Sequence, residues 1–422
     1  MLRKTGVVVA LVAMCGLSAL LVNCGSGSER PAGALYIISQ SETNISSYSI
    51  NLDSGSLSFI NSNASTCTTN SGTSPQTCGL AVSMLLDPSS NAAYVLNQGF
   101  SPNSVPPTIY GYSINSDGSF SSPTVSATLS TNPGETAIGM TEDTGGDLLF
   151  VITDAPAIYV FTAKSGTVGL TQASVVPLTR IPTHISALTF TPQGGSAETL
   201  LFMTSNKDLT ALHNDNELSV YSADSSGTLT EQTFSPYTVP TVNPTVALAV
   251  NTQPPQQNTG GIFVYVGNQP GTTGAGSVVV FQVCTVLGRG VCTLPQQVQQ
   301  QQLLLATSTP SGVGQNPIAM LVDPTNSFLY VLCNTTSQVF GFKIAGSVGT
   351  LSALTPASIP TGAQPVAMAI HNNYNASGEF IFTSNQAGSS ITGFSVNQTT
   401  GSMTGAGTTI FLQGQPSGVA AR

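Results

Sequence analysis

The sequence predicts an all-β protein, a seven-bladed β-propeller of four-stranded blades with the first blade closed by the C-terminal strand. Three observations carry this: a strand unit that recurs along the chain, a near absence of charge, and two chain ends that each hold part of one unit. Charged residues make up 6% of the 422 residues and hydrophobic residues 40%, so Gly, Ser, Thr, Asn, Gln and Pro supply the polarity. Helical bundles and coiled coils need Glu, Lys and Arg on their wet faces, and charge-driven disorder needs low hydrophobicity, so both classes are excluded.

The unit opens on a short apolar strand with an aromatic: Leu35-Tyr36-Ile37, Ala93-Tyr94-Val95, Leu149-Phe150-Val151, Leu201-Phe202-Met203, Val264-Tyr265-Val266, Leu329-Tyr330-Val331 and Ile381-Phe382-Thr383. From Tyr36 to Phe382 the period is about 58 residues, long for a propeller repeat and consistent with generous loops. A second aromatic strand follows each first one, around Tyr48, Tyr112, Phe161, Tyr221, Phe281, Phe342 and Phe394. Alternation at period two puts these rings on one sheet face. A turn of the form Gly55-Ser56-Leu57, repeated at Gly118, Gly227, Gly349 and Gly401, opens a third strand.

A strand of small residues precedes the first mark, reached through a polar residue and Pro at Asn243-Pro244, Asn316-Pro317 and Gln364-Pro365. Small residues suit the crowded innermost position. Each unit is one sheet that buries its faces only against neighbouring sheets, which is the propeller arrangement. The first unit begins directly at the Tyr36 strand, while Gln415-Pro416-Ser417-Gly418-Val419-Ala420 is an innermost-strand signature at the other end. The C-terminal strand is therefore expected to complete the first blade, and the aromatics are expected to be inter-blade core.

Ahead of the repeats, Arg3 and Lys4 precede an apolar run from Gly6 to Val22, the layout of an export signal. The run ends in Leu21-Val22-Asn23-Cys24, which resembles a bacterial lipobox, with Cys24 as the lipidated residue. Residues 1–23 are thus expected to be a lipoprotein signal peptide, 24–32 a flexible tether around Gly25-Ser26-Gly27-Ser28, and 33–422 the propeller. Cys67 with Cys78 and Cys284 with Cys292 enclose short loops that disulfides would close in an oxidising compartment. Cys333 sits in an apolar strand pattern and is expected in the core.

The order of marks, an aromatic-Val-x-Asn strand, a Gly-aromatic-x-Ile strand and a Gly-x-Leu turn, resembles the β-propeller lactonase family, which includes 6-phosphogluconolactonase and carboxymuconate cyclase. The resemblance implies a His before Ser at the start of one innermost strand and an Arg ahead of the Gly-aromatic strand in the same blade. In Pro182-Thr183-His184-Ile185-Ser186, Ile185 stands where that His is expected and His184 comes one residue early; Glu217 stands where the Arg is expected.

In a propeller, the loops after the first-mark strand and those before the innermost strand open on one rim of the channel. They carry Asn97, Asn268, Asn334, Asn385, Asn316 and Gln364, amides that offer donor and acceptor without charge and suit a neutral polar ligand. The charge on this rim concentrates in Glu135, Asp154, Arg180, His184, Lys207, Asp208, His213, Asp215 and Glu217. For lactone hydrolysis, Glu135 or His184 would be the base and Arg180 or Lys207 the oxyanion partner. No cofactor is expected, and no metal, since the Asp-rich Gly loop of a calcium site is missing.

With 18 acidic against 9 basic residues, the surface repels phosphate backbones, and no nucleic-acid partner is expected. The expectation is a monomeric binding or scaffold module at the bacterial cell envelope, periplasmic or surface-exposed, meeting the membrane through its lipid anchor alone. Its partner would be a neutral saccharide, a lactone or an envelope protein. The alternative is a lactone hydrolase with a relocated active site.

Overall fold

The computed structural model describes residues 33–422 apart from 41–42, 67–78, 88–90, 100–104, 130–133, 164–166, 191–196, 211–215, 233–234, 240–244, 251–261, 270–274, 284–295, 303–313, 346–348 and 373–378. The described residues form seven sheets, each an antiparallel run of four strands, which we number as blades in chain order. In order from the innermost strand outward, blade 2 is Ala81–Leu86, Ala92–Asn97, Thr108–Ser113 and Thr124–Thr128, and blade 3 is Ala137–Glu142, Leu148–Thr153, Ala157–Ala163 and Leu170–Pro177. Blade 4 is Arg180–Phe190, Glu198–Asp208, Glu217–Ala223 and Leu229–Glu231, with Tyr237–Thr238 also on its third strand. Blades 5, 6 and 7 start at Thr245–Val250, Pro317–Val322 and Pro365–Asn372 and end at Gln296–Gln302, Leu351–Pro360 and Met403–Phe411. In blade 1, Pro416–Ala421 takes the innermost place beside Ala34–Ser39, Asn44–Ile50 and Leu57–Ser65.

The register of that last addition is explicit, with Tyr36 opposite Ala420 and Ile37 opposite Val419. The seam is tied further by reciprocal bonds between Ala34 and Arg422, 3.1 and 3.0 Å. Each seam between consecutive blades holds one apolar cluster, and the alternation of strand residues feeds two of them at once. Tyr94 packs toward blade 3 while Val95, one residue on, packs toward blade 1. The same holds where the chain ends meet: Ile37 and Tyr48 of blade 1 pack with Phe380, Phe382 and Ile391 of blade 7. All seven first-mark aromatics are fully buried, as are Tyr112, Phe161 and Phe281 of the second strand. Burying a side chain of this size contributes about 1.5–3 kcal/mol.

The turn glycines explain why this packing repeats. Gly349 and Gly401 sit at φ 66° and 72°, the left-handed region open to glycine. A Cβ on Gly401 would meet the Phe328 ring of blade 6 at 2.3 Å, and one on Gly349 would meet Phe263 of blade 5 at 2.1 Å. The turn of each of these blades is thereby seated on an aromatic of the preceding one. Tyr330 and Tyr265 lock the same joints by donating their hydroxyls to the carbonyls of Gly401, at 2.9 Å, and Gly349, at 3.4 Å.

Candidate functional site

Innermost strands begin, second strands end and third strands begin at one face of the ring, so in blade 4 Arg180 lies opposite Asp208 and Ser205 opposite Glu217. The starts of the innermost strands share an irregularity. Pairing skips Val82, Ile138, Thr183, Val246, Ile318, Val366 and Ser417 in the seven blades. A skipped residue re-aims the side chain that follows it. The residues that follow are Ser83, Gly139, His184, Ala247, Ala319, Ala367 and Gly418. Six are Ser, Gly or Ala, and His184 alone is large and ionisable. A one-residue displacement in a regular strand would turn His184 to the other sheet face, but the strand start is irregular on both sides of Pro182.

His184 crosses toward blade 6, where it lies close to the carbonyl of Ile318, itself a skipped residue. Its Nδ1 is buried and has no hydrogen-bond partner. Burial pushes the imidazole down to about 4, with the nearby Ile318 carbonyl opposing. The ring is therefore neutral at pH 7 and a weak base.

Arg180 is 5% exposed. Its Nε lies 2.8 Å from Glu217 Oε2 in an ion pair that is not aligned as a hydrogen bond, and its Nη1 lies 3.0 Å from Glu231 Oε1. Nη1 also donates to Ser219 Oγ at 3.1 Å. Two carboxylates thus surround one guanidinium. The position where the family resemblance implies an Arg is filled by Glu217, 1% exposed, and the guanidinium comes to it from the innermost strand of the same blade. Glu231 is a partner the sequence reading missed, because nothing in the spacing links the fourth strand to the start of the first.

Glu135 is buried and accepts from the Tyr159 hydroxyl at 3.3 Å. Beside it, Asp154 accepts from Thr136 N and Oγ1, both at 2.7 Å, and from Ala155 N at 2.8 Å. This carboxylate holds the loop that leads into blade 3. Lys207 is exposed opposite Ile181. None of the bonds described above joins His184, Glu135 and Arg180 to one another.

The amides divide in two. Asn97, Asn268 and Asn385 are buried, and they hold local structure. Asn97 donates to Thr66 O at 3.0 Å, Asn268 to Val266 O at 3.2 Å, and Asn385 to Ser390 Oγ and Thr392 Oγ1 at 3.3 and 3.0 Å. Asn334 donates to Pro365 O at 2.7 Å, and Asn316, at φ 58°, accepts from Gln269 Nε2 at 2.6 Å. Gln364 is exposed at φ 48°. Cys24, Cys67, Cys78, Cys284, Cys292, Asn243, His213 and Asp215 lie outside the described residues. Cys333 is a free thiol in the blade 5–6 core, pushed up by burial.

The opposite face carries carboxyls that sequence reasoning passed over. Asp143 and Asp323 close the turns after the innermost strands, each accepting two backbone N–H bonds within 2.8 Å on Oδ1. A second carboxyl lies beside such a turn. Glu142 is raised to about 8 by burial and by Asp87, Asp143 and Asp147; Glu379 is raised to about 7 by burial and by Asp323. Both Glu142 oxygens and Glu379 Oε1 are buried without a hydrogen-bond partner. Among the described residues, no group of three His, Cys, Asp or Glu is arranged to hold a metal. The Asp in the turns at 87, 143 and 323 was a visible signal.

No protein-family model matches the chain, and no curated protein does. Among solved structures, a periplasmic gluconolactonase of Pseudomonas aeruginosa superposes with TM-score 0.64 at 16% identity, covering 92% of this chain and 98% of the other. A proposed 6-phosphogluconolactonase of Bacteroides fragilis gives 0.63 at 14%, covering 94% and 99%, and a protein from Lactobacillus plantarum gives 0.66 at 13%, covering 92% and 99%. The chain has the fold of these lactonase-like propellers. At such identity, fold is what is shared, and the chemistry must come from the residues present.

Proposed function

We propose that this chain is an exported, lipid-anchored propeller, a ring of seven blades closed by its C-terminal strand. We read it as a binding or scaffold module at the bacterial cell envelope for a neutral polar ligand or a protein partner, and not as a hydrolase. The observation that carries the reading is the capture of Arg180 between Glu217 and Glu231, together with the low basicity that burial gives His184. A lactone-opening site needs a base of suitable pKa and a positive group at the developing oxyanion, and here the cation is held by two carboxylates while burial keeps His184 a weak base. The export reading is supported by Arg3, Lys4, the apolar run to Val22 and Cys24. Incorporation of labelled palmitate that is lost in Cys24→Ala tests it.

The second reading, a lactone hydrolase, is favoured by the names of two proteins of the same fold, the Pseudomonas aeruginosa gluconolactonase and the proposed Bacteroides fragilis 6-phosphogluconolactonase. The deciding experiment is hydrolysis of glucono-δ-lactone and 6-phosphoglucono-δ-lactone by the full chain. The binding-module reading expects no rate above the uncatalysed one. Turnover that disappears in His184→Ala would establish the hydrolase instead.

A further inference from the structure

A small groove at the seam of blades 7 and 1, away from the charged residues of blade 4, has the opposite character. It lies between the Asn44–Ile50 and Leu57–Ser65 strands and the segment 411–414 that leaves blade 7 for the closing strand. Its volume is about 230 Å³, roughly eight waters at their liquid volume and on the scale of one sugar ring. Phe411 is 79% exposed and Phe59 59% exposed, and the Phe59 ring meets Tyr48 edge to face at 5.5 Å. Solvent-exposed rings of this size at a cavity mark a contact surface.

The aromatics are presented by fixed backbone. Leu412 N donates to Ser389 O at 2.7 Å, while Gln415 O accepts from Gln40 N at 2.9 Å and from Ser39 Oγ at 2.8 Å. Phe411 thus stands on a segment tied at both ends, which lowers the ordering cost of binding. Around the rings stand Asn44, Ser62 and Gln413, whose side chains bond to no other described residue. None of the residues lining the groove is charged, in a protein whose formal charge is −9.

From this pairing of bare aromatic faces with unengaged amides and hydroxyls, we propose that the groove binds a neutral saccharide. A pyranose ring offers C–H faces to Phe59 and Phe411 and hydroxyls to Asn44, Ser62 and Gln413. Lipid tails would leave those polar groups without partners, which costs free energy. A second protein copy would need a patch of about 800 Å² on each side, far beyond this groove. The absence of charge disfavours acidic and basic sugars equally. The proposal rests on the binding-module reading and assigns it a ligand class and a place.

The test uses the full chain with maltotriose, cellotriose and triacetylchitotriose as neutral probes and trigalacturonate as the charged control, followed by calorimetry and melting temperature. We expect at least one neutral trisaccharide to bind, at least tenfold more tightly than trigalacturonate. Binding should fall at least tenfold in Phe411→Ser, which leaves the melting temperature of the free protein unchanged, and in Phe59→Ser, which lowers it slightly by removing the edge contact with Tyr48. It should persist in Asn316→Gly and Gln364→Gly at the channel rim. Binding that survives both Phe variants but is lost in the rim variants overturns the groove while keeping the binding module. No binding by any neutral probe overturns the saccharide assignment. A dimer in sedimentation, or flotation with phosphatidylcholine vesicles, that is abolished by Phe411→Ser would reassign the groove to a second copy or to lipid.

Discussion

The channel mouth of blade 4 and the groove at the blade 7–1 seam share a face of the ring and treat polarity in opposite ways. At the mouth, Arg180 is neutralised by two carboxylates and burial keeps His184 a weak base. At the seam, the side chains of Asn44, Ser62 and Gln413 are unengaged by other described residues, and Phe59 and Phe411 stay largely exposed. Buried charge must be paired where it lies, so Arg180, Glu217 and Glu135 are engaged within the protein, while Lys207 is exposed.

Removing one partner of the buried ion pair is the strongest way to break that contrast. Glu217→Ala leaves Arg180 buried with Glu231 alone and is expected to cost about 3–5 kcal/mol of stability, read as a lowered denaturant midpoint. An equal loss should follow Arg180→Met only if the bare carboxylates, rather than the lost pairing, set the cost. A change below about 1 kcal/mol in Glu217→Ala would mean that the guanidinium is free to serve a ligand after all.

Next in size is the joint between blades. Gly401→Ala places a methyl group against the Phe328 ring at φ 72°, with an expected cost of about 2 kcal/mol. Gly405→Ala has open space around its Cβ and should be nearly silent in the same melt.

The pH dependence sharpens the comparison of the two faces. Glu142 and Glu379 have folded pKa values above their unfolded values, so their contribution is fully present below about pH 4.5 and is lost as pH rises through about 7 for Glu379 and about 8 for Glu142. The groups facing Glu142 are Asp87, Asp143, Asp147 and Tyr94, and those facing Glu379 are Asp323 and Tyr330. His184 works in the other direction: its pKa is depressed, so its contribution is present above about 6.5 and is lost as pH falls through about 4. Burial lowers His371 as well. Melting temperature should therefore peak on the acid side of neutrality. Glu142→Gln should flatten the alkaline limb by about 1–2 kcal/mol, and His184→Ala should flatten the acid one. A profile level from pH 5 to 9 would contradict the carboxyl assignment. The smallest expected effect is that of Gln364→Gly on stability, within about 0.5 kcal/mol for an exposed side chain.

Much of this protein was legible in its sequence. The aromatic first-mark strands from Tyr36 to Phe382 lie in the core as expected, and Pro416–Ala421 pairs with the Tyr36 strand. Both follow from local rules: period-two burial, small residues on the innermost strand, and a missing strand at one end supplied by the other. Chemistry was less legible. Asn97, Asn268 and Asn385 carry the right residue type at the right rim, yet an amide at a loop serves the backbone as readily as a ligand, and sequence cannot distinguish the two. His184 is conspicuous as a residue, but its direction depends on the irregular pairing around Thr183, which propensity does not report.

By itself, then, the sequence determined the repeat, the all-β class and the strand that joins the ends, because strand periodicity and turn glycines act over a few residues. Tertiary structure alone decided that Arg180 meets Glu231 from fifty-one positions away, that His184 reaches Ile318 two blades on, and that Phe59 and Phe411 share one groove. The first meeting depends on how blade 4 folds on itself and the other two on how the blades come together, and neither is set by residues close in sequence.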